Sequence, residues 1–310
     1  MSVAMGKLRF IVSLTTNEND YQLEQAASAE VAARHLDIEL QIIYAENDTI
    51  LQSQQLLKII QSSSESRPDG IIFEPVGGTA LPVVARAAAE AGIGWVVMNR
   101  EIEYLNELRK SARVPIFSVS SDHEEIGRIQ GRQFAALLPK GGTVLYIQGP
   151  SMNLATINRT IGMQETKPTN IEIKAIRGNW TEASAYKAVG SWLKLSTSRQ
   201  SKIDIVAAQN DTMAVGAKKA FQELLQGKER ERWLRAPFLG IDGVPQTGQA
   251  WVRAQVLSGT IISPPNTTRA IDMLVSAIKT GDIPPERTYT IPQSFPDIQS
   301  LGSKKVQVLC

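Results

Sequence analysis

The chain has 310 residues, 43% of them hydrophobic, and a formal net charge of +2 at pH 7. That length suits two domains of ordinary size, and that apolar share builds packed cores, which excludes a disordered chain. A charge so near zero excludes a general electrostatic pull toward nucleic acid or membrane surfaces.

One cysteine, Cys310, permits neither an internal disulfide nor a cysteine metal cluster. The two histidines, His35 and His123, sit in helical patterns among charged neighbours, which argues against a metal site or a Ser-His pair. No stretch approaches the ~20 apolar residues of a membrane span, and residues 1–6 lack the pattern of a signal peptide.

The chain opens with a short apolar strand at 8–14 (LRFIVSL) that ends in a polar loop containing Asn17. A helix follows at about 21–35, with Leu23, Ala26, Ala27, Val31 and Ala32 on one face. Residues 38–44 form the second strand, and Asp48 caps a helix whose apolar side is Leu51, Leu56, Ile59 and Ile60. Pro68-Asp69-Gly70 is turn chemistry before a third strand at 71–73, which ends at Glu74-Pro75. Thr79 opens the next helix with Pro82 in its first turn, and Ala91-Gly92 ends it. A fourth strand, 95–98, runs into Asn99-Arg100. After a polar segment at 101–113 comes a fifth strand at 116–119, and Asp122 then starts a helix with Glu125 placed as a capping-box partner.

The same rhythm restarts in the second half. Strands are expected at 144–147, 171–176, 203–208 and 238–241, and helices around 157–164, from Thr181 to about 195, after Asp211, and around 245–257. A helix from about Thr267 to 279 ends at Gly281, and the tail from 289 to 309 alternates apolar residues with prolines. Residues 228–235 (KERERWLR) alternate in charge sign and read as a solvated helix face. The βα alternation predicts an α/β protein of two successive halves, each a parallel sheet with helices on both faces.

Polar residues recur just after the strands: Asn17, Glu74, Asn99, Arg100, Trp180, Asn210 and Asp242. Open α/β sheets bind ligands at those strand ends. In the stretch 207–216 (AAQNDTMAVG), Asp211 is placed to cap the following helix, which leaves Asn210 an acceptor and donors in one plane. Asn210 fits a plain strand-to-helix turn equally well. No G-x-G-x-x-G follows residue 14 or 147, and neither a P-loop nor a G-x-S-x-G elbow occurs. No catalysis, cofactor or metal is therefore expected.

Between about residues 7 and 292 the chain resembles the ribose-binding-protein-like periplasmic sugar-binding proteins, the solute receptors of ABC importers. The resemblance is carried by AQNDTMAVGA (208–217), Leu239-Gly240-Ile241-Asp242-Gly243, Asn99-Arg100 after a strand, Ser121-Asp122 and Gly259-Thr260-Ile261, all in the family's order. It implies two Rossmann-like domains, 1–121 plus 264–290 and 122–263 plus 291–310, joined by a three-crossover hinge with the ligand cleft between them. It implies ligand contacts at Asn17, Asn99, Arg100, Arg159, Trp180, Asn210, Asp242 and Ser263. Of these, Arg100 and Arg159 would act as two-oxygen forks, Trp180 as a stacking aromatic, and Asn210 and Asp242 as partners of hydroxyls.

Three departures from the family pattern argue against plain ribose. Asn99 stands where ribose binders have aspartate. Asn19 and Asp20 stand near a position that often carries sandwiching aromatics, with Tyr21 as a candidate substitute. Ser263 replaces a longer amide. A different sugar, a polyol or a sugar acid fits better.

The resemblance further implies a monomeric protein without nucleic acid, working in the periplasm with its signal peptide removed, and an ABC permease in the inner membrane as its partner. Were the start native, the protein would be cytoplasmic. A lactose-repressor-like effector domain shares this fold, but it needs a DNA-binding segment ahead of it, and only about six residues precede the first strand. A carbohydrate or autoinducer sensor is a third role for the same binding chemistry.

Overall fold

The computed structural model describes residues 6–77, 80–100 and 102–307. Thr79, expected to open a helix, and Cys310 lie outside them. The chain runs β1 (Arg9–Leu14), α1 (Asp20–Leu36), β2 (Glu39–Tyr44), α2 (Thr49–Ile60), β3 (Gly70–Phe73), α3 (Pro82–Glu90), β4 (Gly94–Met98), α4 (Tyr104–Ser111), β5 (Ile116–Ser121) and α5 (His123–Leu137). It continues β6 (Gly142–Gln148), α6 (Leu154–Thr166), β7 (Ile171–Arg177), α7 (Glu182–Leu193), α8 (Ser196–Gln200), β8 (Ile205–Ala208), α9 (Asp211–Leu224), α10 (Gly227–Leu234), β9 (Phe238–Leu239), α11 (Gly248–Arg253) and β10 (Thr260–Ile262). It ends with α12 (Asn266–Thr280), β11 (Arg287–Thr290), β12 (Gln293–Phe295) and α13 (Ile298–Gln307).

These elements form two compact units. One is built from the described residues up to Ser121 together with Pro265–Thr290. The other is built from Asp122–Pro264 together with the described residues from Ile291 onward. The chain passes from one to the other three times.

The first unit has a six-stranded sheet in the order β11-β5-β4-β3-β1-β2, parallel throughout. Successive side chains of a strand point to opposite faces, and the two cores follow that parity. Phe10, Val12 and Leu14 pack with Ile72, Val96 and Met98 against α1 and α12. Ile11, Ile71, Phe73, Trp95 and Val97 pack against α2, α3 and α4 on the other face. Each fully buried large side chain contributes about 1.5–3 kcal/mol, and burial on both faces is why these strands read as unbroken apolar runs.

The second unit has a parallel sheet in the order β7-β6-β8-β9 and a short antiparallel pair, β10-β12. Leu145, Ile147, Val206 and Ala208 face α7 and α9. Val144, Tyr146, Ile205 and Ala207 face α5, α6 and α13. In both sheets the strand order reverses beside the first strand, between β1 and β3 and between β6 and β8. Ligand crevices of doubly wound sheets open at such reversals, outside the carboxyl ends of the strands.

Four local expectations change. The polar segment at 101–113 contains α4, an amphipathic helix whose Leu105 and Leu108 are buried, whose Glu107 and Lys110 face water, and whose Arg109 donates to the Ile116 and Pro284 carbonyls. The helix expected around 245–257 shortens to the six residues of α11. Asp122 does accept from the Glu125 N–H at 2.8 Å, but Glu125 pairs with Arg128 and Arg132. Finally, Asn210, not Asp211, caps α9: its side-chain oxygen accepts from the Met213 N–H at 2.8 Å. The charged run at 228–235 is the exposed α10, anchored by Trp233, which is 2% exposed and stacks on Phe221 at 4.7 Å.

Candidate functional site

In the first unit, polar groups gather at the carboxyl ends of β3, β4, β5 and β11. Asn99 follows β4 in the left-handed region, φ 56°, a conformation asparagine tolerates better than most residues. Its Nδ2 donates to the Tyr21 hydroxyl at 3.0 Å, and its Oδ1 accepts from Asn266 Nδ2 at 2.6 Å and from the Ser121 N–H at 3.3 Å. Asn266, fully buried as the first residue of α12, also reaches the Tyr21 and Ser121 hydroxyls at 3.3 Å, and its Oδ1 accepts from Thr290 at 3.1 Å. A buried amide left unpaired would cost about 1–3 kcal/mol, so this network holds the strand ends in one arrangement.

Beside it stands Glu74, at the end of β3, accepting from Gln22 Nε2 at 2.9 Å. Burial pushes the Glu74 carboxyl above its usual range, opposed by hydrogen bonds from Gln22 and Asn99 and by the charge of Arg100. Arg100 is half-buried and makes no hydrogen bond or ion pair among the described residues. Asn17 is exposed in the loop after β1.

In the second unit, the corresponding ends are those of β6, β7, β8, β9 and β10. Arg159, on α6, is 5% exposed. Its guanidinium donates to the Gln209 carbonyl, pairs with Asp242 Oδ1 at 3.4 Å, and lies 5.7 Å from the centre of the Trp180 ring. The position of α6 is set by close packing on α5: a Cβ on Gly162 would lie 1.9 Å from the Glu124 carbonyl oxygen, and one on Gly127 would lie 2.2 Å from that of Arg159. Only bare backbone permits that approach, so the glycines determine where Arg159 stands.

Gln209 is fully buried; its amide nitrogen lies within hydrogen-bond distance of the Tyr146 hydroxyl, the Thr156 carbonyl and the Thr160 hydroxyl, and its oxygen accepts from the Gly149 N–H. Burial raises the Tyr146 phenol to about 12, which keeps it a neutral partner. Trp180 adopts φ 62° and lays its ring over Gly149, where a Cβ would come within 2.3 Å of it. Asn210 Nδ2 donates to the Trp180 carbonyl at 2.9 Å. Asp242, φ 107°, is on the turn after β9, and the Ser263 N–H donates to its carbonyl at 3.0 Å.

Each unit thus gathers its own subset of the expected residues: Asn99 and Arg100 in the first, Arg159, Trp180, Asn210, Asp242 and Ser263 in the second, with Asn17 more peripheral. Asn266 and Gln209 were not singled out from the sequence as site residues, and Tyr21 only as a candidate substitute for a sandwiching aromatic. Asn266 follows two prolines at a helix start, which signals a turn and conceals its burial. Gln209 differs from its neighbour Asn210 only in facing inward. These ends offer neutral amides and hydroxyls, one arginine without a hydrogen bond or ion pair among the described residues, and one arginine balanced by a carboxylate.

The family model described as "Periplasmic binding protein domain" matches residues 10–282. The "Putative rhizopine-binding protein" of Rhizobium meliloti is 32% identical over 196 residues, which span 61% of this chain and 60% of that protein. The "Xylitol-binding protein" of Mycolicibacterium smegmatis is 26% identical over 265 residues, 84% of this chain and 69% of that protein. Among solved structures, an ABC transporter periplasmic solute binding protein from Actinobacillus succinogenes with bound D-allose superposes with a TM-score of 0.80 at 21% identity, covering 96% of this chain and all of that one. A solute binding protein from Bacillus halodurans with bound myo-inositol gives 0.76 at 21% identity, covering 97% and 98%. At these identities the structures establish the shared two-lobed α/β fold. With the family model spanning most of its length, the chain belongs to the periplasmic binding protein family.

Proposed function

We propose that the protein is the solute receptor of an ABC importer for a neutral polyhydroxylated compound, a sugar, polyol or cyclitol, and that it works in the periplasm beside a membrane permease. The observation that carries this reading is the set of amides, hydroxyls and arginines at the strand ends of both units. Planar amides and arginine forks each bind two neighbouring oxygens, as vicinal diols require. The relative named as xylitol-binding, and the similar structures that hold D-allose and myo-inositol, support the same ligand class. Among the described residues no helix is long and apolar enough to cross a membrane. The ligand would favour the conformation that it contacts best, and a hinge closure of the kind the family resemblance implies is the change proposed.

The test is a thermal-shift panel of aldopentoses, aldohexoses, linear polyols, cyclitols and sugar acids on protein refolded free of ligand. A ligand at 100 times its Kd stabilises by about 2.7 kcal/mol, which gives a clear rise in Tm. A hit among the neutral compounds, with small-angle scattering showing compaction at saturation, is the expected result. A panel in which nothing shifts Tm would overturn the ligand class, and unchanged scattering with a bound ligand would overturn closure.

A further inference from the structure

Asp211 is the first residue of α9 and is 3% exposed. The turn that carries Asp242 is gripped by Asp211 on both sides. The Asp211 N–H donates to the Ile241 carbonyl at 2.7 Å, and its Oδ2 accepts from the Gly243 N–H at 2.8 Å. Between those two anchors Asp242 holds φ 107°, a conformation that persists only where its surroundings over-determine it. The carboxyl is also enclosed by bare backbone. A Cβ on Gly240 would lie 2.1 Å from Oδ1, and one on Gly248 would lie 2.0 Å from Oδ2.

The charged groups facing this carboxyl are Asp242 and Arg159. Burial, and then the negative charge of Asp242, push Asp211 well above the usual aspartate range, against the opposing effects of Thr260, the Gly243 N–H and Arg159. Arg159 is already committed to Asp242 and to the Gln209 carbonyl. Among the described residues the cation acting on Asp211 is this same Arg159, so a second carboxylate would share it with Asp242. Meanwhile Asp211 Oδ1 and Thr260 Oγ1 are both buried without a completed hydrogen bond, although the hydroxyl is near enough to influence the acid. A proton on Oδ1 would let the acid donate to Thr260 Oγ1, which can accept as well as donate, without a second buried charge beside Asp242.

We propose that Asp211 is a positioning residue for Asp242 and acts as a neutral acid, taking the Gly243 N–H on one oxygen and turning its own O–H toward Thr260, so that the turn aims Asp242 at Arg159. The proposal rests on the reading of Asp242 as a ligand contact only for its effect on binding; the clamp itself can be observed without ligand.

The first measurement is NMR on the isotopically labelled full chain, following the Asp211 carboxyl carbon and the Gly243 amide through a pH series. Both are expected to titrate together, with a midpoint well above the ordinary aspartate value near pH ~4. In Asp211→Asn, which keeps an acceptor and a donor in the same places, the Gly243 titration should vanish while its amide stays near the wild-type low-pH position. An Asp211 that is ionised throughout this range, or a Gly243 amide that ignores it, overturns the proposal.

The second measurement is calorimetry with myo-inositol, D-allose and xylitol as probes. Asp211→Asn should bind within about threefold of wild type, and Asp211→Ala at least about tenfold more weakly. An Asn variant as weak as the Ala variant overturns the neutral-acid role. If Asp211→Ala fails to fold, the Asn variant and the NMR titration still decide. If Asp242→Ala binds like wild type while the Gly243 titration persists, the contact role of Asp242 fails and the clamp stands.

Discussion

The side-chain amide of Asn210 donates to the main-chain carbonyl of Trp180 at 2.9 Å while its oxygen caps α9 through Met213. An asparagine that offers a planar amide to a ligand in the sequence is thus engaged on both ends within its own unit, and it supports the left-handed backbone of Trp180. Asn210→Ala should lower stability by about 1–3 kcal/mol, combining the lost cap with the lost bond to the carbonyl. Asn210→Ser should recover about 1 kcal/mol of this as a cap, yet not the tie to Trp180. Urea denaturation of the three proteins reads the difference, and an Ala variant as stable as wild type would refute the dual role.

Arg100 behaves differently: among the described residues its guanidinium makes no hydrogen bond or ion pair, and its charge acts on Glu74 only at a distance. Arg100→Ala is expected to weaken binding of the ligand found in the thermal-shift panel by about 1.5–3 kcal/mol, the scale of a charged hydrogen bond. The stability of the free protein should change by less than about 0.5 kcal/mol. Calorimetry and urea denaturation together separate the two effects; equal affinity would remove Arg100 from the site.

Arg159 and Asp242 form a pair with side chains only 6% and 16% exposed. Removing one partner strands a charge in a poorly solvated place. Arg159→Ala should therefore cost about 3–5 kcal/mol of folding stability in addition to any loss of binding. Arg159→Lys should restore only part of this, since an ammonium lacks the fork that serves the Gln209 carbonyl and Asp242 at once. A stability unchanged by Arg159→Ala would show the pair to be energetically idle.

Glu74 gives a pH signature. Burial raises its folded pKa above the unfolded value, with hydrogen bonds from Gln22 and Asn99 opposing. The folded state therefore holds the proton more tightly than the unfolded chain. This contribution to stability is complete below the ordinary carboxylate pKa and is lost as pH rises through the raised one. Glu74→Gln should flatten that part of the stability–pH curve. The same slope in both proteins, measured by urea denaturation from acid to neutral pH, would contradict the assignment.

The α5–α6 contact offers a test of how helix spacing places a ligand residue. Gly162→Ala would put a Cβ 1.9 Å from the Glu124 carbonyl oxygen. Overpacking of this kind costs about 1–3 kcal/mol, and the shift of α6 should displace Arg159, one turn earlier, and weaken binding. A variant with wild-type stability and affinity would show that the helices separate freely.

The alternation of strands and helices, the apolar faces and most polar strand ends were legible in the sequence, because strand parity and helical period are written within a few neighbouring residues. The misread places have physical reasons as well. The charged α4 fully buries only Leu105 and Leu108, too sparse a stripe to stand out, and its other anchors, Tyr104 and Arg109, hold by hydrogen bonds to distant carbonyls. Asn210 and Asp211 are both good caps, and the choice between them falls to Gly243, whose N–H engages Asp211.

What the sequence by itself determined is the order of the α/β elements and the residue types that end each strand. Tertiary structure decided which of those polar groups are bound to one another. Asn99 meets Asn266 across 167 positions, and Arg159 meets Asp242 across 83. Such pairings depend on which strands become neighbours and how closely helices pack, and local periodicity encodes neither. A buried hydrogen bond is short and directional, so its partners are selected only once the sheet and its helices have brought them within about 3 Å of one another.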